Sequence, residues 1–256
     1  MGSQLYFITH PNVVVSPDVP VPRWPLSALG RSRMHRGLQL PWVRELEAIY
    51  CSTEQKAIDG ASILGGHLAL PVVEMEALGE NDRSATGFLP PNEFQRVADL
   101  FFANPAASVR GWERALDAQA RVVRAVSEIA RAESSSRAVA IVSHGAVGTL
   151  LYCHLAGLAI ARKWDQPPNG GGNYFGFDMF PPSVKGHWQP VDGSGGAWRG
   201  RRSPCANLKA GPRLPLREVG GGLPCGLVPD YISYWRALPN RSPLCVWRHA
   251  QCLRRD

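Results

Sequence analysis

The chain has 256 residues, enough for one or two domains with a sizeable core. Its formal net charge of +7 comes from one end, since residues 194–256 hold 11 Lys and Arg against 3 Asp and Glu, and the remainder holds 17 against 18. A nearly neutral body argues against a specific nucleic-acid-binding protein. The sequence shows neither a signal peptide nor eighteen consecutive apolar residues, so we expect a cytoplasmic protein without a membrane span.

The first predicted element is a strand that ends at a histidine. Residues 5–8 form an apolar run of strand-type composition, and Pro11 prevents the strand from continuing beyond His10. Ligands of open parallel sheets bind at the carboxyl ends of the strands. His10 is therefore a candidate functional residue.

A proline-rich loop over residues 13–30 separates this strand from the next predicted element. Ser27 is predicted to cap a helix that runs to about residue 50, with a break or kink at Pro41. Residues 48–51 fit a short strand equally well, because so short an apolar run has no distinctive period.

Ser52 and Thr53 are predicted to cap a second helix, which would end at Gly65 and Gly66. Further strands and helices then alternate along the chain. The remaining predicted elements are a strand at 70–73, helices near 92–103 and 108–132, a strand at 138–143, a helix at 146–155, and a hairpin over 174–177 and 184–191.

This alternation predicts an α/β fold, a three-layer sandwich whose largely parallel sheet is covered by helices on both faces. The buried strand at 138–143 ends at His144, just as the first strand ends at His10. If the two strands are neighbours, both histidines will lie beside one pocket.

The C-terminal residues differ from the rest of the chain. Residues 194–256 mix Gly, Pro and Arg with scattered Cys and show no helical or strand period. This composition predicts a folded domain over residues 1–193 and a disordered basic tail over residues 194–256. The cysteines lack metal-ligand spacing, and no metal is predicted.

Five motifs in register make residues 4–193 similar to the histidine phosphatase superfamily, the phosphoglycerate-mutase-like proteins. His10 stands where that family has the histidine of Arg-His-Gly. The other four segments resemble, in order, the family's Leu-Ser/Thr-x-x-Gly, Ser-x-x-x-Arg-Ala, Leu-x-Glu and second-histidine motifs: Leu26–Gly30, Ser52–Ala57, Leu78–Glu80 and Ser143–Gly145.

The resemblance implies a metal-independent phosphomonoester hydrolase that acts on a small phosphorylated substrate through a phosphohistidine, without a cofactor. His10 would be the nucleophile, Glu80 the proton donor and His144 a donor to a phosphoryl oxygen. Glu76 is the alternative acid. We prefer a hydrolase to a mutase because no insertion looks suited to shielding an intermediate from water. The resemblance leaves the oligomeric state open.

Two departures from the family affect the expected phosphate site. Thr9 and Lys56 stand where the family has arginines, so a neutral hydroxyl and a point charge replace two planar bidentate donors. We predict that both still bind the phosphate and that Arg83, near Glu80, compensates; Arg23 is a second candidate. The alternative function is a weak or inactive phospho-ligand-binding pseudoenzyme of the same fold.

Overall fold

The computed structural model describes residues 4–135 and 138–193. The tail predicted at residues 194–256 lies outside the described residues. The described part is built on one sheet of six strands in the order β3-β2-β4-β1-β5-β6. The strands are β1 (Gln4–Thr9), β2 (Leu46–Cys51), β3 (Val72–Glu74), β4 (Ala138–Ser143), β5 (Asn173–Met179) and β6 (Pro182–Pro190).

The sheet is largely parallel, as the sequence predicts. β3, β2, β4 and β1 pair in parallel, whereas β5 runs antiparallel to β1 and forms a hairpin with β6. Four parallel strands bring their carboxyl ends to one edge of the sheet, which is where ligand sites form in such folds.

Helices cover both faces of the sheet and complete the predicted three-layer sandwich. One hydrophobic core joins the sheet to α1 and α2, and the other joins it to α3, α4 and α5. The helices are α1 (Ala28–Gly37), α2 (Gln55–Leu68), α3 (Pro91–Ala103), α4 (Ala115–Ala132) and α5 (Gly145–Leu155).

Side chains along β1 alternate between these two cores. Leu5 and Phe7 belong to the core with α4 and α5, and Ile8 belongs to the core with α1 and α2. Successive side chains of a strand point to opposite faces, so Thr9 faces the same layer as Phe7.

The first helix is shorter than the sequence predicts. Ser27 caps α1, and its hydroxyl accepts a hydrogen bond from the Gly30 N–H at 3.1 Å. α1 ends at Gly37, and residues 46–51 form β2, so the alternative prediction of a short strand is correct. β2 lies between β3 and β4. This pairing makes residues 46–51 a strand, whereas the periodicity of the sequence allowed either a helix or a strand there.

The second helix differs from its prediction at both ends. Glu54 is the N-cap of α2, and neither Ser52 nor Thr53 occupies that position. The helix continues past Gly65 to a left-handed residue, Ala69, at φ 55°. Gly65 is needed for close packing instead, because a β-carbon there would lie 2.9 Å from the Leu70 carbonyl oxygen.

The fourth helix begins seven positions later than its prediction at residue 108. Arg110 and Gly111 have positive φ angles of 53° and 81°, a conformation that no right-handed helix contains. The prediction missed this loop because Val109 and Trp112 continue the helical spacing of α4.

A buried ion pair joins the first helix to the end of the last strand. The Arg33 Nε atom in α1 lies 2.9 Å from an Asp192 carboxylate oxygen, and the two side chains are only 5% and 1% exposed. Arg33 also donates to the Asn12 side chain and to the Asn169 carbonyl oxygen, each at 3.0 Å. The pair therefore connects the segment after β1, α1 and the residues after β6.

Candidate active site

The two histidines predicted at the strand tips are adjacent. β1 and β4 pair in parallel with Thr9 opposite Ser143, so the next residue of each strand is a histidine. The His10 and His144 rings meet edge to face, with centroids 5.3 Å apart and an interplanar angle of 66°. The two strands are therefore neighbours, which is the condition set by the sequence analysis for the two histidines to meet.

His10 is held with one ring nitrogen available for reaction. Its Nδ1 atom lies 2.9 Å from the Pro11 carbonyl oxygen, which can only accept a hydrogen bond. The proton therefore sits on Nδ1, and Nε2 keeps its lone pair. Burial, together with the nearby charge of Lys56, lowers the pKa of His10 from 6.5 to about 4, so the ring is neutral at neutral pH.

A glycine turn supports the backbone of His10. Gly170, Gly171 and Gly172 have φ angles of 83°, 78° and 66°, as expected for a turn. The Gly172 N–H donates to the His10 carbonyl oxygen at 3.0 Å. The turn thus fixes the position of the His10 backbone.

His10 lies at a cavity of about 1130 Å³, which we call the site cavity. Its charged lining includes Glu54, Lys56, Glu80 and Arg83. Apolar side chains form much of the remaining wall, among them Val13, Pro17, Pro20, Trp24, Phe88 and Phe94.

Glu80, the predicted acid, reaches this cavity from the loop after β3. Its carboxylate accepts hydrogen bonds from the Val147 N–H at 3.1 Å and the Ala146 N–H at 3.3 Å, in the first turn of α5. Burial raises the pKa of Glu80 above its ordinary value, although Arg83 acts in the opposite direction. A raised pKa suits a carboxyl group that donates a proton. Glu76, the alternative acid, is exposed at the cavity wall.

Arg121 of α4 holds the Glu80 loop and is absent from the sequence prediction. Its guanidinium donates to the carbonyl oxygens of Ala77, Gly79 and Glu80 at 2.9–3.1 Å and pairs with Glu113 at 2.7 Å. The sequence offers no signal for this contact, because 41 residues separate Arg121 from Glu80.

Arg83 lies in the site cavity close to Glu80. Its guanidinium stacks over the rings of Phe94 and Trp112, 5.2 and 5.5 Å from their centroids. One of its nitrogens lies 3.9 Å from a Glu80 carboxylate oxygen. The aromatic rings hold the predicted compensating cation beside the predicted acid.

Lys56 also lines the cavity, but its charge is already paired. Its side chain is only 4% exposed, and it forms an ion pair with the Glu54 carboxylate. Its Nζ atom also donates to the Val21 carbonyl oxygen at 3.0 Å. Glu54, two residues before Lys56, was not predicted as a site residue.

His144 is completely buried beside these groups and is not among the described residues that line the cavity. Its Nε2 atom lies 2.8 Å from the Ser52 hydroxyl and 3.3 Å from a Glu54 carboxylate oxygen. Within the described residues, its Nδ1 atom has no hydrogen-bond partner. Burial lowers the pKa of His144 well below its ordinary value, although Glu54 opposes this effect.

The structure does not bring Thr9 to the site cavity. Thr9 is fully buried on the α5 side of the sheet, as expected for a residue two positions after Phe7 on the same strand. Its hydroxyl donates to the Gln166 side chain at 2.7 Å and accepts from the Asn173 N–H at 3.0 Å. Both hydrogen bonds are made within the fold, so the Thr9 hydroxyl is not directed at the site cavity.

Asn81 is a further cavity residue that the sequence prediction missed. It is 3% exposed and lines the site cavity directly after Glu80. Neither its side-chain oxygen nor its nitrogen has a hydrogen-bond partner in the part of the chain that the structure describes. A buried amide without partners is costly, so its position at the cavity makes Asn81 a candidate for ligand contact.

Comparison with known proteins gives the family and the fold of this chain. The family model of the histidine phosphatase superfamily (branch 1) matches residues 18–178, more than half of the chain. The chain therefore belongs to the histidine phosphatase superfamily, as its motifs suggest. A search of curated proteins found no significant match.

Several solved structures share this fold. A mycobacterial glucosyl-3-phosphoglycerate phosphatase in complex with inorganic phosphate is 20% identical over 74% of this chain and 99% of its own, with a TM-score of 0.62. YhfR of Bacillus stearothermophilus is 25% identical over 72% and 94%, with a TM-score of 0.60. The alpha-ribazole phosphatase of Shigella flexneri is 18% identical over 71% and 93%, with a TM-score of 0.53.

Residues 4–135 and 138–193 contain neither a cluster of metal-ligating side chains nor a membrane-spanning helix. Three or more His, Cys, Asp or Glu side chains do not come together there in a group that could hold a metal ion. In the same residues, every helix is too short or too polar to cross a membrane.

Proposed function

We propose that this protein is a phosphomonoester hydrolase that acts on a small phosphorylated substrate through a phosphohistidine intermediate. The observation that carries the proposal is the state of His10. Its ring is neutral, its Nδ1 proton is bound to the Pro11 carbonyl oxygen, and it lines a cavity shared with Glu80. A neutral imidazole with a bound Nδ1 proton is the form that attacks phosphorus.

In the first step, the Nε2 lone pair of His10 forms a bond to phosphorus and the bond from phosphorus to the ester oxygen breaks. Glu80, whose pKa burial raises, transfers a proton to the departing oxygen. The products of this step are the free alcohol, a phosphorylated His10 and the Glu80 carboxylate.

In the second step, water attacks the phosphorylated His10. The Glu80 carboxylate removes a proton from the water, the bond between nitrogen and phosphorus breaks, and phosphate leaves. The neutral imidazole and the protonated acid are restored. Arg83 faces the same cavity and supplies positive charge for the equatorial phosphoryl oxygens.

The proposal is tested by incubating the protein with an aryl phosphate and no added metal, then quenching early. We expect turnover and acid-labile phosphate on the wild-type protein, and neither on His10→Ala. His154→Ala is the matched control, because His154 is an exposed histidine on α5. Turnover by His10→Ala at the wild-type rate would contradict a phosphohistidine mechanism.

A second candidate function is binding of a phosphorylated ligand with little or no turnover. Two observations favour it, namely the pairing of Lys56 with Glu54 and the engagement of the Thr9 hydroxyl within the fold. Each removes a donor from the predicted phosphate site, and one lost donor costs on the order of a hundredfold in rate. A folded protein that binds phosphate in calorimetry but neither turns over nor becomes labelled would support this candidate.

A further inference from the structure

Glu54 is the point on which the donors of this site converge. The Lys56 ammonium pairs with its carboxylate, and the Glu80 N–H donates to its Oε1 atom at 2.9 Å. The same Oε1 atom lies 3.3 Å from the His144 Nε2 atom. The Glu54 carboxylate thus contacts an ammonium, a backbone N–H and an imidazole, and all of these groups lie beside His10.

A carboxylate and a phosphoryl group recognise the same donors. Ammonium, imidazole and backbone N–H groups bind phosphate oxygens by the charge-assisted hydrogen bonds with which they bind carboxylates. Glu54 lines the site cavity, whereas His144 behind it does not. A phosphoryl group that enters the cavity therefore meets a negative charge where it would need donors.

The charge on Glu54 is permanent under ordinary conditions. Burial by itself would raise the pKa of Glu54, but the ion pair with Lys56 and the hydrogen bond from the Glu80 N–H hold it below the ordinary carboxyl range. The carboxylate also favours one protonation state of His144, whose Nε2 atom lies nearer to the Ser52 hydroxyl, at 2.8 Å. A carboxylate only accepts hydrogen bonds, so it favours a proton on Nε2, and the neutral ring then has no second N–H for a phosphoryl oxygen.

We propose that the Glu54 carboxylate occupies the anion subsite beside His10 and limits the affinity of the native site for dianionic phosphate. Glu54 is then a specificity-determining residue, since a phosphorylated ligand must displace it or bind beside it. The inference rests on the proposed function only in taking the site cavity as the place where phosphate binds. It requires no turnover.

The test measures the dissociation constant of inorganic phosphate by calorimetry for the wild-type protein and two variants. Glu54→Ser empties the subsite and places a favourable N-cap residue at the start of α2. Glu54→Gln keeps the shape and removes the charge. Both variants release Lys56, and we expect phosphate to bind on the order of tenfold more tightly, the gain typical of one charge-assisted hydrogen bond.

Asp18→Asn is the matched control, because Asp18 is an exposed acid of the same cavity. It removes an equal charge without touching the Glu54 donors, so its affinity should stay within about twofold of the wild type. Tighter binding by either Glu54 variant but not by Asp18→Asn supports the inference. If neither Glu54 variant binds phosphate more tightly than the wild type, the inference is overturned.

Two Glu54 variants are used because the comparison with the wild type still holds if one of them fails to fold. Phosphate should raise the melting temperature of a folded Glu54 variant more than that of the wild type, because the tighter ligand stabilises more. The phosphate affinity of the Glu54 variants does not depend on whether His10 becomes phosphorylated. Phosphohistidine formation can fail while the Glu54 variants gain affinity, and the reverse can also occur.

Discussion

Gly171 lies directly against the carbonyl oxygen of His10. A β-carbon built at Gly171 would lie 2.2 Å from that oxygen, closer than any non-bonded carbon and oxygen atoms can approach. The neighbouring Gly172 donates its N–H to the same oxygen. The position of the proposed nucleophile therefore depends on the lack of a side chain more than 160 residues further along the chain.

Replacing Gly171 with alanine should displace His10. The substitution combines a steric clash with a positive φ of 78°, and we expect a loss of about 3 kcal/mol or more in the free energy of unfolding. Aryl phosphatase activity should fall with it. Gly157→Ala is the matched control, because Gly157 has a φ of 64° and open space around it, so it should lose only about 1 kcal/mol. Urea unfolding checks the difference, and equal losses would refute this account.

The pH dependence of kcat/KM should be bell-shaped. Activity should rise as the pH increases through about 4, where the pKa of His10 leaves the ring neutral. It should fall at higher pH as Glu80 loses its proton, above the ordinary carboxyl range because burial raises its pKa. The profile is measured with an aryl phosphate at constant ionic strength.

Two variants assign the alkaline limb of this profile. Glu80→Gln should remove the alkaline limb and lower kcat/KM about 100-fold or more, the usual contribution of a general acid. Glu76→Gln should keep both limbs. A profile that loses its alkaline limb in Glu76→Gln instead would make Glu76 the acid.

Arg83→Ala should weaken both turnover and phosphate binding. The guanidinium is stacked on Phe94 and faces the site cavity, so its removal takes away a positioned cation. We expect kcat/KM to fall on the order of a hundredfold. Arg96→Ala removes an exposed arginine from α3 and should leave both quantities unchanged. Unchanged kinetics and phosphate affinity in Arg83→Ala would exclude a role for Arg83.

Asn81 should show opposite effects on binding and on stability. If its amide contacts the ligand, Asn81→Leu should raise KM for an aryl phosphate about tenfold. The same change replaces a buried amide that lacks partners among the described residues, so the melting temperature should stay equal or rise. Asn92→Leu, at an exposed position of α3, is the control. A stability loss without a KM effect would indicate a structural role.

The fold could be predicted from the sequence because its strands are distinct apolar runs. β1 and β4 are each followed directly by a histidine, and the parallel order of such strands places both tips at one edge of the sheet. The boundaries of α1, α2 and α4 were less predictable. They depend on tertiary contacts, such as the pairing of β2 and the packing of Gly65 against Leu70. The periodicity of the sequence carries no information about these contacts.

The site was predictable only in part. His10 and Glu80 follow from motif positions and Arg83 from its nearness to Glu80, and the structure brings all three to one cavity. The ion pair of Glu54 with Lys56 was missed because an acid at the start of a helix is ordinary in sequence. Thr9 was predicted from the family motif alone, whereas the structure buries it on the side of Phe7, where strand alternation places it.

The ion pair between Arg33 and Asp192 limits how far the C-terminus can be shortened. The basic tail is predicted to contribute nothing to the folded domain, so a chain ending at Gly193 should melt at the same temperature as the full chain. A chain ending at Pro190 loses Asp192 and leaves the Arg33 guanidinium buried without this counter-ion, which typically costs about 3–5 kcal/mol. Thermal unfolding of the two shortened chains separates these outcomes. For crystallisation or NMR work, residue 192 is thus the innermost safe boundary, and it lies beyond the last strand, where a boundary chosen by secondary structure alone would fall.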